Sequence, residues 1–164
     1  MKKIVLSLLL FCYSVIMVSA QESKSGYNFR WGAAVRQDDY SGFSLTSVNA
    51  KIGFWSEKEN HYFGLITGYG YGTSSYGYMN VIPLLADFSH TFFLSKKESF
   101  GIITGTEIGT LYTIKHLTYD RNSTDWRGYV GLKLGLDFKI KQHDLQVMAH
   151  AHLEGYGLSI GLML

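Results

Sequence analysis

The sequence predicts an all-β chain that closes into an antiparallel up-and-down barrel of eight strands and spans a membrane. Parity is the first reason. From Trp126 to Ile140, the residues Trp126, Val130, Leu132, Leu134, Leu136, Phe138 and Ile140 share one side, while Arg127, Tyr129, Lys133, Asp137 and Lys139 share the other. That is the two-residue period of a β-strand with one apolar face. Composition is the second: 18 Gly, 12 Tyr and 10 Phe against a single Pro favour strands and tight turns over helices. The third is an export signal. Lys2 and Lys3 precede an apolar run from Ile4 to Val18 that ends in Ser19 and Ala20, so residues 1–20 read as a signal peptide cut after Ala20. The run is shorter than the roughly 20 residues of a comfortable membrane-spanning helix. Residues 21–164 then form one barrel domain.

Charge and cysteine content narrow the classes further. Lys2 and Lys3 fall within the signal, and the remaining basic residues balance the 13 acidic ones. A mature chain near neutrality is not built to hold nucleic acid. Cys12 is the only cysteine and lies inside the apolar run, so no disulfide framework supports the exported domain.

The strands are expected, in order, near Tyr27–Arg36, Phe43–Trp55, His61–Gly72, Tyr78–Leu94, Phe100–Thr113, Trp126–Ile140, Leu145–Leu153 and Tyr156–Leu164. The first two carry Arg30, Arg36 and Lys51 on their polar parity. The third and fourth alternate through Phe63, Leu65, Tyr69 and Tyr71 and through Ile82, Leu84, Phe88 and Phe92. Pro83 interrupts the fourth, where loss of an N–H donor predicts a bulge or a strand start. The fifth spaces Gly101, Gly105 and Gly109 around Glu107; the sixth is the parity run above. The seventh bears His150 and His152, and the last alternates through Leu158, Ile160, Leu162 and Leu164. Several segments exceed the five or six residues usual in soluble strands and match the roughly 9 to 11 that cross a bilayer.

The connections alternate in kind. Ser56–Asn60, Ser95–Ser99 and Lys141–Asp144 are tight and charged, whereas Gln37–Gly42, Thr73–Gly77 and the longer Ile114–Asp125 fall between them. In an even-stranded barrel with periplasmic termini, this second set lies outside.

Orientation follows from where the charges are. Most lie in the terminus and turns, and those on strand bodies, Arg30, Arg36, Lys51, Asp87, Glu107, Arg127, Lys133, Asp137, Lys139 and Glu154, all share the glycine-rich parity. A lysine facing lipid near the midplane costs about 2–4 kcal/mol, so Lys133 is expected in the lumen. Tyr69, Tyr71, Tyr112, Trp126, Phe138 and Tyr156 stand towards strand ends, as aromatic girdles do. An eight-stranded barrel is filled by its own side chains. Glu107, Asp87, Asp137, Lys133, Arg127 and Arg30 are therefore expected to form a plug of opposite charges, not an open pore.

Candidate chemistry is sparse. His150, His152 and Glu154 share the lumen parity, and His-x-His on a strand can present two imidazoles to one metal. No further ligand is evident by spacing, so packing within the lumen is the favoured role and no metal is assigned. Ser159 with the same histidines invites a hydrolase reading, but a nucleophile inside the lumen is out of reach of lipid substrates. No catalytic residue and no cofactor are assigned.

The run Tyr78–Phe93, with Ile82, Pro83, Leu84 and Leu85, then a charged turn and the strand bearing Phe100, Gly101, Gly105 and Gly109, resembles the small outer-membrane β-barrel proteins common in Bacteroidota. The glycines at Gly131 and Gly135 match as well, whereas the final Leu164 departs from the aromatic that often ends such chains. The resemblance implies the barrel fold and the outer membrane of a Gram-negative bacterium, with no single activity attached.

The function expected is a non-enzymatic outer-membrane barrel acting structurally or through its outer loops. Its expected partners are outer-membrane lipid, the barrel-assembly machinery during insertion, and an extracellular partner at Ile114–Asp125, where Tyr119, Arg121 and Trp126 are the contact candidates. Two alternatives stand beside it: an outer-membrane lipid-modifying enzyme, and a soluble exported ligand-binding barrel with its apolar face inward.

Overall fold

The computed structural model of the chain describes residues 26–56, 60–94, 99–118, 122–141 and 143–164. The expected signal peptide, most of the two charged turns Ser56–Asn60 and Ser95–Ser99, and the contact candidates Tyr119 and Arg121 lie outside them. Eight strands follow in chain order: β1 (Tyr27–Tyr40), β2 (Phe43–Ser56), β3 (His61–Ser74), β4 (Gly77–Phe93), β5 (Phe100–Leu117), β6 (Ser123–Ile140), β7 (His143–His152) and β8 (Gly155–Met163). Each pairs antiparallel with the next, and β8 closes on β1, making one closed barrel. Closure removes every edge along the paired length, the condition for a sheet to cross lipid. Leu164 extends the seam: it and Trp31 exchange backbone hydrogen bonds of 2.7 and 3.3 Å.

Burial alternates along the strands, with large apolar side chains covering the outer surface and the charged residues of the strand bodies turned inward beside an apolar cluster. Val35, Val48, Phe63, Tyr69, Ile82, Phe88, Leu132, Leu134, Leu158 and Ile160 are exposed on the outer surface. Arg36, Lys51, Asp87, Glu107, Lys133, Asp137 and His150 are buried inside. The apolar-inward barrel is thereby excluded as the architecture. Leu65 and Leu84, expected in the lipid belt, point the same way but are half covered by neighbours.

The lumen-facing glycines explain how long charged side chains fit in so narrow a barrel. A Cβ on Gly105 would meet the Phe88 carbonyl and stand 2.7 Å from Lys133 Cε, and one on Gly157 would run into the Asp38 carboxylate. Glycine on one strand is thus the space into which a neighbour's side chain lies.

Three expectations are corrected. First, the outer connections are not long loops. β1 runs past Arg36 to Tyr40, and only Ser41 and Gly42, with φ of 53° and 79°, make the turn to β2. Positive φ at both central residues is the hairpin turn whose twist matches the flanking strands. Likewise most of Ile114–Asp125 is strand, paired as far as Lys115 with Ser123. These segments looked like loops because they are polar, but a strand beyond the bilayer has no need of apolar residues. On the outer face Gln37 Nε2 donates to Ser44 Oγ at 2.9 Å, and Tyr69 Oη donates to Asn80 Oδ1 at 2.5 Å, so polar side chains cross-link neighbouring strands. Secondly, Pro83 makes neither a bulge nor a strand start. It sits within β4 opposite Leu111 of β5, while the β3–β4 ladder pauses between Thr67↔Leu84 and Gly70↔Val81 and resumes in the same register. The missing donor is accommodated by opening the ladder on one side only. Thirdly, β7 starts at His143, so Asp144 is a lumen residue and not part of a turn.

Candidate functional site: the lumen network and the outer rim

Three ion groups share the lumen with an apolar cluster of Phe43, Leu45, Ile66, Met79, Leu85 and Leu111. Towards its middle, Asp87 of β4 is fully buried and lies between two lysines: Lys51 Nζ of β2 is 2.8 Å from Oδ2, and Lys133 Nζ of β6 donates to Oδ1. Above it, Arg36 of β1 donates to the Asp38 carboxylate at 2.8 Å, to Glu107 Oε2 of β5 at 2.7 Å and to Tyr129 Oη of β6 at 2.5 Å. Nearer the end that carries the termini, Arg30 pairs with Asp144, and Asp137 is buried in register with Gln146. Lys51, Lys133 and Arg36 thus balance Asp87, Glu107 and Asp38, and the half-buried Arg30 balances Asp144, with Asp137 a fifth buried carboxylate beside Gln146. Balance of this kind is required: desolvating an ion costs several kcal/mol, recovered only through close opposite charges and hydrogen bonds.

The expected plug is therefore present, with altered membership. Glu107, Asp87, Lys133 and Arg30 take their expected places, and Asp137 is buried as expected but lies opposite Gln146 with no ion pair among the described residues. Arg127 does not: it lies at the outer rim, one-third exposed, 3.1 Å from Glu154 and 3.5 Å from Asp125. Arg36, Lys51, Asp38, Asp144 and Tyr129 complete the network. Arg36 and Lys51 had the right parity, and Asp38 and Asp144 were obscured only by being assigned to turns.

His150, His152 and Glu154 do not converge. His150 Nε2 is 2.8 Å from Ser159 Oγ, and its Nδ1 is 3.5 Å from Glu107 Oε2. His152 is wedged between the rings of Tyr40 and Tyr129, with centroids at 5.5 and 5.3 Å, while Glu154 sits in the β7–β8 turn with Arg127. Ser159, His150 and Glu107 have the order of a nucleophile, base and orienting carboxylate. Here Glu107 also receives Arg36, and Ser159 and His150 are only 6% and 4% exposed. On the outer surface the same strands present Ala149, Ala151, Leu158 and Ile160. The trio thus lies buried on the lumen side of the barrel wall.

A cavity of about 30 Å³ lies beside this network, lined by Arg36, Asp38, Tyr40, Asn49, Pro83 and His152 among others. Holding one water takes roughly 10–15 Å³, so this space fits a water or two and no ligand.

The outer rim is uneven. The β6–β7 ladder begins only at Gly131↔His152, whereas the β5–β6 ladder extends to Lys115↔Ser123. Among the described residues the backbone of Ser123–Val130 therefore pairs with β5 alone, and the segment stands above the β7–β8 turn with its other backbone edge outside any ladder. Trp126 packs on Tyr112 at 5.0 Å and is 63% exposed; Leu153, in the lower turn, is 85% exposed. A Cβ on Gly128 would meet nothing within 4 Å.

No protein-family model and no curated protein matches the sequence. Solved structures do match in three dimensions. Neisserial surface protein A (NspA) superposes with a TM-score of 0.57 at 14% identity, covering 85% of this chain and 97% of its own. The N-terminal β-barrel domain of Pseudomonas aeruginosa OprF gives 0.56 at 11% identity, covering 85% and 98%. At such identities the likeness is one of fold, and the fold is that of the eight-stranded outer-membrane β-barrels.

Proposed function

We propose that this chain is a non-enzymatic barrel of a Gram-negative outer membrane that acts as a rigid scaffold presenting its outer rim to a partner. The observation that carries this reading is the open edge of β6 from Ser123 to Val130. A strand bonded on one side only offers a row of backbone donors and acceptors to an added extended segment. Trp126 and Leu153, the most exposed apolar groups beside that edge, supply side-chain contact. The contact region so defined is narrower than Ile114–Asp125 and is part of the sheet. Insertion by the barrel-assembly machinery would place the belt of Leu132, Leu134, Leu158 and Ile160 in lipid. The resemblance to the Bacteroidota barrels fits the same reading.

The mature chain lacks cysteine, which makes the test simple. Ser123→Cys on intact cells should react with a membrane-impermeant maleimide, and Leu134→Cys should not. Recovery of the protein in the soluble fraction without detergent, or equal labelling of both positions, would sink the proposal.

A further inference from the structure

On the outward face near the end that carries the termini, His61 begins β3 and His90 stands opposite it on β4. Neither side chain takes part in the lumen network. Their rings are tilted at 50° with centroids 4.6 Å apart, and the two Nδ1 atoms face each other at 3.3 Å. The strand register holds both Cα positions, and the ladder continues past them through a 2.9 Å bond from Thr91 N to Asn60 O. Phe92 packs edge-on against the His90 ring at 4.2 Å, and the next outward rung is the Phe63–Phe88 pair at 4.9 Å. The imidazoles thus project from a stiff frame beside an open groove lined by Tyr27, Phe54, Phe63, Phe88 and Thr104.

Two neutral imidazoles this close can share a single N–H···N bond, one ring donating and the other accepting. The spacing has a second meaning. Two nitrogen ligands at about 2.0–2.1 Å from a tetrahedral ion are about 3.3 Å from each other. The pair therefore has the ligand-to-ligand distance of a metal site before any metal binds, and both Nδ1 lone pairs are free for a divalent ion once the donor ring moves its proton from Nδ1 to Nε2 through solvent, leaving two neutral imidazole ligands.

We propose that His61 and His90 form a two-imidazole site for a borderline divalent cation, zinc or copper(II), whose remaining positions stay open to the interface. Imidazole donors select these ions over magnesium or calcium. The bound ion would clamp β3 to β4 at the rim. The site is independent of the outer edge of β6, so either proposal can fail alone.

The test uses the folded mature protein in detergent micelles, with heat-modifiable gel mobility as the check on folding. Zinc titrated into wild type should bind at one equivalent, and His61→Gln and His90→Gln should each weaken binding by about tenfold or more. His116→Gln and His143→Gln should leave it unchanged. Copper(II) bound to wild type should show hyperfine coupling to two imidazole nitrogens, a readout that needs no variant to fold. Zinc affinity unchanged in His61→Gln or His90→Gln, a copper spectrum without two imidazoles, or no zinc binding up to millimolar concentration would overturn the proposal.

Discussion

Asp87 holds two lysines at once, and neither can reach water. Removing one partner of a buried ion group costs about 3–5 kcal/mol, because the charges left behind have no solvent to turn to. Asp87→Ala is accordingly expected to lower stability by that amount in a urea titration of the micelle-folded protein. Replacing all three with apolar residues of similar volume should lose far less. Ser159 tests a different point. Its hydroxyl is 2.8 Å from His150 and closed to solvent, so a fluorophosphonate probe should leave the folded protein unlabelled. Labelling blocked by Ser159→Ala would instead revive the lipid-modifying reading. Much of this site was legible in the sequence, since parity alone sent Glu107, Asp87, Lys133 and Arg30 inward. What parity cannot reveal is the partner. Arg36 meets Glu107 across the lumen, 71 residues away in the chain, and Asp38 reaches Arg36 only because β1 continues past the point where its composition turns polar.

Among the elements, β6 is the one whose two halves live differently. Its inner part, Gly131–Phe138, is paired on both sides, and its outer half, Ser123–Val130, on one. Hydrogen exchange should reflect this as a step along a single strand. Amides of Gly131–Phe138 should be protected throughout, while those of Ser123–Val130 should alternate, every second amide pointing at β5 and the rest at solvent. Uniform protection along the whole strand would mean that a neighbour covers the edge. The inner half was readable because lipid and lumen impose opposite polarity on alternate residues. Of the outer half, Trp126–Val130 still carries the alternation, and only Ser123, Thr124 and Asp125 read as loop, because the contrast ends where the bilayer does and leaves them no pattern to announce a strand. Pro83 failed for a related reason: an open ladder on one side absorbs the missing donor, and sequence cannot say which side faces a neighbour that tolerates it.

For the molecule as a whole, the ion groups and the glycine notches beneath them close the lumen. A planar bilayer containing the folded protein should show no large steady conductance; a stable open level would mean that Arg36, Glu107 and the Lys51–Asp87–Lys133 group do not fill the barrel. The central claim is the reversed polarity that begins with Trp126–Ile140, where Leu134 faces lipid and Lys133 the lumen. It is tested most directly by the stability of Leu134→Arg and Thr46→Arg proteins folded into vesicles, measured by urea titration. An arginine at the lipid midplane costs about 2–4 kcal/mol and near the interface about 0–1. Leu134→Arg is therefore expected to be destabilised by about 2–4 kcal/mol and Thr46→Arg to be nearly unchanged, whereas equal, negligible effects at both positions would contradict a barrel that carries its apolar face in lipid.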